Sequence, residues 1–245
     1  MDAFAALMGG RAAPRADGVD PNLLFYKGEI ASEPEGAKVD EIHRSWRGDF
    51  RRLELHHGYI QWLFPVFENA GMNWRSSPLT KEGAATIRAS EVCSRRVLES
   101  YRLMLHFYGF VLVDAKTGAV ARDPDAAHAA ERLENLHERA HNWLRISRII
   151  TSLGELGFAR YKKPLVAALR KEVEAGTLAD AAESCERYWA PLAEDEGAAW
   201  YNRKTREVDA DRAEGCLFAA GAELGGAPAP PPPAAAEPAA APPPA

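Results

Sequence analysis

The sequence predicts an all-α fold: a single multi-helix globular domain around a central buried helix, with one small β-hairpin at most and disordered termini. Three observations predict it. His56 to Pro65 (HHGYIQWLFP) is short, aromatic and almost free of charge, and a helix apolar on most of its circumference belongs in a core. Apolar residues recur at helical spacing in several other stretches, many framed by a capping residue and a glycine. Only Phe110 to Arg122 reads like strands.

The elements follow in order. Residues 1–20 are rich in Ala, Gly and Asp and are expected to be disordered. The domain is expected over 21–215, opening on Asn22 to Lys27 with Asp20 or Asn22 as cap. Pro34 to Gly36 reads as a turn. Val39, Ile42 and Trp46 mark the apolar face of a helix over 37–47, with Gly48 as a left-handed stop. Asp49 can cap the central helix. In that helix Leu53, His57, Ile60 and Phe64 share one stripe, and Tyr59, Leu63 and Val66 another. Pro65 should end it. His57, Gln61 and the Trp62 indole are then buried polar groups that need partners.

Pro65 to Ser77 reads as a loop. Thr80 caps a helix to about Ala89, and Ser90 opens a longer one to about Tyr108, closed by Gly109. The strand-like stretch turns at Lys116-Thr117-Gly118. Asp123 or Asp125 caps a helix to about His137, and another runs from about Asn142 to Leu156, closed by Gly157. Tyr161 to Ala175 carries Pro164 near its first turn. Ala179 to Trp189 looks helical, Pro191 should interrupt, and 194–212 reads as a final exposed helix. Residues 225–245 are, after Gly225 and Gly226, Ala and Pro with one Glu, and are expected to form an extended tail without a core.

Composition narrows the function. Net charge is −5, which disfavours non-specific nucleic-acid binding. Cys93, Cys185 and Cys216 form no paired framework, consistent with a reducing, intracellular compartment, cytoplasmic or nuclear. No window approaches the roughly 20 apolar residues that span a bilayer, so any membrane association is peripheral. Arg11 and Arg15 in an Ala-rich start are a weak organellar-targeting signal.

The chain holds no phosphate-loop, dinucleotide-binding or nucleophile-elbow motif. His137-Glu138-Arg139-Ala140-His141 spells H-E-x-x-H. On one continuous helix this would bring two zinc ligands together, with Glu138 as general base. Against it, no histidine follows His141, Glu155 is the nearest downstream candidate for a third ligand, and the match straddles a helix boundary. His56 and His57 face different directions on a helix and chelate one ion poorly; the plain reading makes His57 a core residue and sets His56 at a groove. Trp46, Trp62, Trp74 and Trp143, with Tyr26, Tyr59, Tyr101 and Tyr108, are either core or the lining of a peptide groove. Arg145 offers a fork to a ligand carboxylate or to an internal partner such as Glu155, Asp49 or Glu68. No catalytic residue set and no cofactor is expected; the rival reading is a zinc-dependent hydrolase on His137 and His141, and a third is a helical scaffold for a protein partner.

HHGYIQWLFP resembles the signature of the opioid growth factor receptor conserved region, a soluble α-helical domain. Three further stretches match in the same order: Gly71 to Trp74 followed by Pro78 to Thr80, YRLMLHFYG from Tyr101, and HNWLRISRIITSLGELG from His141. The similarity spans about 22–178. It implies a receptor-like, opioid-peptide-binding module, with association at the nuclear envelope and a part in restraining proliferation. The acidic, Pro-rich repeats and basic localisation signals of the family's namesake are not found in these 245 residues. An opioid-like peptide carries an amino-terminal cation, two aromatic rings and a carboxylate. The expected contacts are Glu68, Met72 and Trp74 in the loop, with Arg145, Tyr59 and Trp62.

Overall fold

A computed structural model describes residues 19–34, 36–67 and 75–194. The helices form where cap and stripe coincide. Helix α1 (Pro21–Lys27) starts at Asp20, whose carboxylate accepts from Asn22 N, and stops at left-handed Gly28. The same carboxylate accepts from Thr80 N at 2.8 Å and Thr80 Oγ1 at 2.7 Å, so one aspartate ties two helix starts together. Helix α2 is shorter than expected, Val39–Ser45, and Gly48 has a φ of 84°.

The central helix is not continuous. It divides into α3 (Phe50–Leu55), capped by Asp49 as expected, and α4 (Ile60–Leu63). His56 is extended, with φ −83° and ψ 115°. Gly58 explains the break, because a Cβ there would lie 2.9 Å from Pro34 Cδ and 3.2 Å from His56 Cε1. The chain passes too close to its neighbours for a side chain, and the close approach is made by non-helical backbone. The break turns His57 outward, so it is exposed and not a core residue. Gln61 and Trp62 are buried, and the indole N–H donates to Glu33 O at 2.9 Å.

Helices α5 (Lys81–Ala89) and α6 (Glu91–Phe107) carry the predicted Thr80 and Ser90 caps. Strands β1 (Phe110–Asp114) and β2 (Ala119–Arg122) pair antiparallel, Phe110 with Arg122, as a two-stranded sheet. Asp125, not Asp123, caps α7 (Ala126–Glu138). Helix α8 (His141–Glu155), a 3-10 turn (Ala159–Tyr161) and α9 (Lys162–Glu174) follow. Pro191 does not end the helical run. A 3-10 turn (Ala179–Ala181), α10 (Ala182–Ser184) and a π segment (Cys185–Trp189) lead into α11 (Ala190–Glu194). The predicted helix over 194–212 lies outside the described residues beyond Glu194, as do Cys216 and the Ala/Pro tail.

Helix α6 runs through the middle of the packing, against α1, α2, α5 and β1. Trp46, Tyr26, Tyr59, Tyr101, Phe64, Phe107 and Trp189 are among the large, fully buried side chains of a single core cluster, which also takes in Cys93 and Cys185 as free thiols. Trp143 is only partly buried, packed against that cluster. Most of the aromatic set is therefore core.

Polar ties lock α2 onto α6. Arg96 Nε and Nη2 donate to the Asp40 carboxylate at 2.8 and 2.5 Å, and Nη1 to Tyr26 O at 2.8 Å. His43 Nε2 sits 2.9 Å from Ser100 Oγ, whose own hydroxyl donates to Arg96 O. His43 Nε2 is then the donor. Burial, with the Arg96 charge, pushes His43 down to about 4 from 6.5, against the pull of Asp40. Between those values the unfolded chain binds the proton more readily than the folded one, so stability falls as pH falls through the window. We expect a loss on the order of 2–3 kcal/mol from this one group between pH 6.5 and 4. Urea unfolding at several pH values checks it: His43→Gln should flatten the slope relative to the parent.

Candidate functional site

The break between α3 and α4 opens the site. Helix α3 ends at Leu55, which is 59% exposed. Beside it lies a shallow groove lined by Asp49, Arg51, Arg52, Leu55 and His56. Each has a reason to be there. Asp49 caps α3 through one oxygen, accepting from Arg52 N at 3.0 Å. Arg52 lies 4.2 Å over the Trp46 ring. His56 packs its ring 5.2 Å from Trp46 and 6.1 Å from Tyr59, which form the buried wall behind the groove.

The rear of the break is held from α8. Arg145 donates to Leu53 O at 3.0 Å, Glu54 O at 3.2 Å and His56 O at 3.4 Å. It also donates to Asn142 Oδ1 at 3.1 Å and His57 Nδ1 at 3.2 Å. The last carbonyls of a helix lack intrahelical donors, and Arg145 supplies them from another helix. It serves neither Glu155 nor Asp49 in this arrangement. Because a guanidinium only donates, His57 Nδ1 must accept, which fixes the neutral tautomer with its proton on Nε2. Partial desolvation and the neighbouring Arg145 and His141 hold the His57 pKa below its usual value, against Glu54.

Glu54 joins this corner to α7 and α8. Its carboxylate accepts from Asn135 Nδ2 at 3.0 Å and Asn142 Nδ2 at 3.2 Å, and lies 2.6 Å from His141 Nε2. Burial raises its pKa, but the two amide donors and the charges of His141 and Arg145 outweigh that and keep it below the usual carboxylate range. The His57 and His141 rings meet edge to face at 5.6 Å.

The H-E-x-x-H reading fails on backbone geometry. Helix α7 ends at Glu138, Arg139 leaves the helix with φ −111° and ψ 77°, and α8 begins at His141. His137 faces Asp180 at 3.6 Å while His141 faces Glu54. Glu155 is fully buried and accepts from Phe67 N at 2.8 Å. The two imidazoles are not held on one helical face, and among the described residues each faces a different carboxylate, with no shared ligand cluster.

Of the residues expected to touch a peptide, Tyr59, Trp62 and Arg145 are buried, with 0%, 3% and 5% exposure. The Tyr59 hydroxyl donates to Leu53 O at 3.0 Å, and Arg145 lies 5.6 Å from its ring. Trp62 sits apart from them, beside Glu33 and Phe25. Glu68, Met72 and Trp74 fall outside the described residues. Sequence reasoning missed Asp49, Arg51, Arg52 and Leu55 as groove residues; Leu55, an apolar residue in the charged run before His56, was the available signal.

Comparisons with known proteins agree with these motifs. A family model described as the opioid growth factor receptor (OGFr) conserved region matches residues 16–194. The opioid growth factor receptor of Rattus norvegicus is 46% identical over 145 residues, 59% of this chain and 24% of its own. That of Homo sapiens is 43% identical over 150 residues, 61% and 22% of the two chains. Opioid growth factor receptor-like protein 1 of Xenopus tropicalis is 38% identical over 175 residues, 71% and 33%. The chain thus spans a third or less of these relatives. No solved structure matches it.

Proposed function

Because the chain belongs to the opioid growth factor receptor conserved-region family, we propose that it is a non-enzymatic, receptor-like module that binds a short opioid-like peptide. The observation that carries the reading is the groove on α3. It offers an acid, Asp49, an exposed apolar side chain, Leu55, an imidazole face, His56, and two cations, Arg51 and Arg52. Those are the groups that an amino-terminal ammonium, an aromatic ring and a terminal carboxylate require. Tyr59 and Arg145 hold the groove from behind and do not contact the ligand. Glu68, Met72 and Trp74 remain proposed contacts. The described residues include no helix long and apolar enough to cross a membrane, in keeping with a soluble or peripheral receptor.

Calorimetry and tryptophan fluorescence of the purified chain, titrated with a peptide of that chemistry, test the reading. Saturable binding weakened about tenfold or more by Asp49→Asn or Arg52→Ala supports the groove. Loss confined to Glu68→Gln and Trp74→Ala moves the site to residues 68–74. No heat and no spectral change at millimolar peptide ends the peptide reading and leaves a scaffold for a protein partner.

A further inference from the structure

We propose that His106, Asp123 and His128 form a binding site for a divalent transition metal, with Zn²⁺ the ion best suited to the donor set. The three come from separate elements: the last turn of α6, the exit of β2 and the first turn of α7. One ligand atom from each lies within 4.8 Å of the other two. Zinc takes imidazole nitrogen and carboxylate oxygen at about 2.0–2.2 Å, so tetrahedral donors lie about 3.3–3.5 Å apart. Closing on an ion then needs about 1–1.5 Å of side-chain movement.

The backbone holds the donors in place. Gly109, at φ 82°, lets α7 approach the end of α6; a Cβ there would meet Ala129 O at 3.0 Å and Arg132 Cβ at 3.1 Å. Asp123 N donates to Gly109 O at 2.9 Å, which fixes the exit of β2 beside His106. Asp123 Oδ1 accepts from Asp125 N at 3.0 Å, and Oδ2 faces His128 Nε2 at 3.8 Å. The side chains of His128 and Asp123 are 13% and 12% exposed.

One further observation points to an ion. His106 Nδ1 is buried and has no partner among the described residues, although a buried polar atom normally has one. His128 Nε2, the nitrogen that faces Asp123 Oδ2, also lies 3.0 Å from His106 O and gives up that carbonyl when it takes an ion. Phe50 covers the pair, its ring 5.5 Å from His106 and 5.2 Å from His128. Arg132, 4.3 Å over Phe50, pairs with Glu131, which balances its charge. Three protein ligands leave a fourth position for water, and the site would act as a clip joining α6, the hairpin and α7.

The test uses the full chain, freed of metal with a chelator and titrated with Zn²⁺ and with Co²⁺. The expected result is one tight site by calorimetry, a low-coordinate Co²⁺ absorption spectrum, and a Tm raised by roughly 5–10 °C at a hundredfold excess over Kd. Asp123→Asn and His128→Gln should each weaken binding at least tenfold, while His141→Gln leaves it unchanged. Long-range ¹H–¹⁵N correlations of the histidine rings decide the matter even where a variant folds poorly. Shifts of the His106 and His128 nitrogens on adding Zn²⁺ support the site. Shifts confined to His56, His57, His137 or His141, or no binding at millimolar Zn²⁺, overturn it and leave a stacked histidine pair with its aspartate.

Discussion

Trp62→Ala is expected to lower the unfolding free energy by about 3–5 kcal/mol, the range for truncating a large buried aromatic. Trp62 is 3% exposed and packs 5.5 Å, ring to ring, from the fully buried Phe25. Phe25 in turn meets Tyr26 edge to face, and the Tyr26 hydroxyl donates to Leu63 O, the last residue of α4. The substitution therefore opens a cavity where α1 and α4 meet, and most of its cost is lost packing. The indole hydrogen bond adds less, because its acceptor belongs to the exposed residue Glu33 and can turn to water. Trp62→Phe separates the two: it keeps much of the contact and should cost about a third as much. Urea unfolding followed by circular dichroism reads both. A Trp62→Ala protein as stable as the parent, but unable to bind peptide, would return Trp62 to the ligand surface.

Local signals carried most of the secondary structure. Asp49, Thr80, Ser90 and Asp125 each accept the backbone N–H expected of a cap. Gly48, Gly109 and Gly157 each adopt positive φ where a helix was expected to stop. These are decisions made within one turn of chain, and sequence records them directly. The break at His56 to Gly58 escaped, because apolar residues continue at helical spacing on both sides of it and only His57 falls off the buried stripe. Gly58 was its only local mark. The site itself was still less legible. Glu54 meets Asn135 and Asn142, more than 80 positions away, and such partners follow from tertiary packing. The same holds for His106, Asp123 and His128, whose spacing fits no short ligand motif. H-E-x-x-H erred in the opposite direction, a well-known spacing laid across two helices whose junction at Arg139 separates the imidazoles.

Arg145→Met should destabilise the domain by about 3–5 kcal/mol, the cost of removing one member of a buried ionic network without replacing its bonds. The guanidinium is 5% exposed and supplies donors to Leu53, Glu54 and His56, the carbonyl end of α3. A cation at a helix C-terminus also answers the partial negative charge that collects there. Leu53 O retains the Tyr59 hydroxyl at 3.0 Å, but Glu54 O, His56 O and Asn142 Oδ1 each lose a donor. Arg145→Lys keeps the charge without the fork and should recover only part of the loss. A second readout separates this role from packing alone. Arg145 is among the groups that hold the His57 pKa down, so in Arg145→Met the His57 titration, followed by nuclear magnetic resonance, should move up toward its ordinary value. Peptide affinity should fall in the same variant, although Arg145 lies behind the groove, because the carbonyls of Glu54 and His56, on either side of Leu55, lose the tie that sets their position. Stability within about 0.5 kcal/mol of the parent, with an unmoved His57 titration, would mean that water replaces the guanidinium at the end of α3 and that the groove is held by Trp46 and Tyr59 alone.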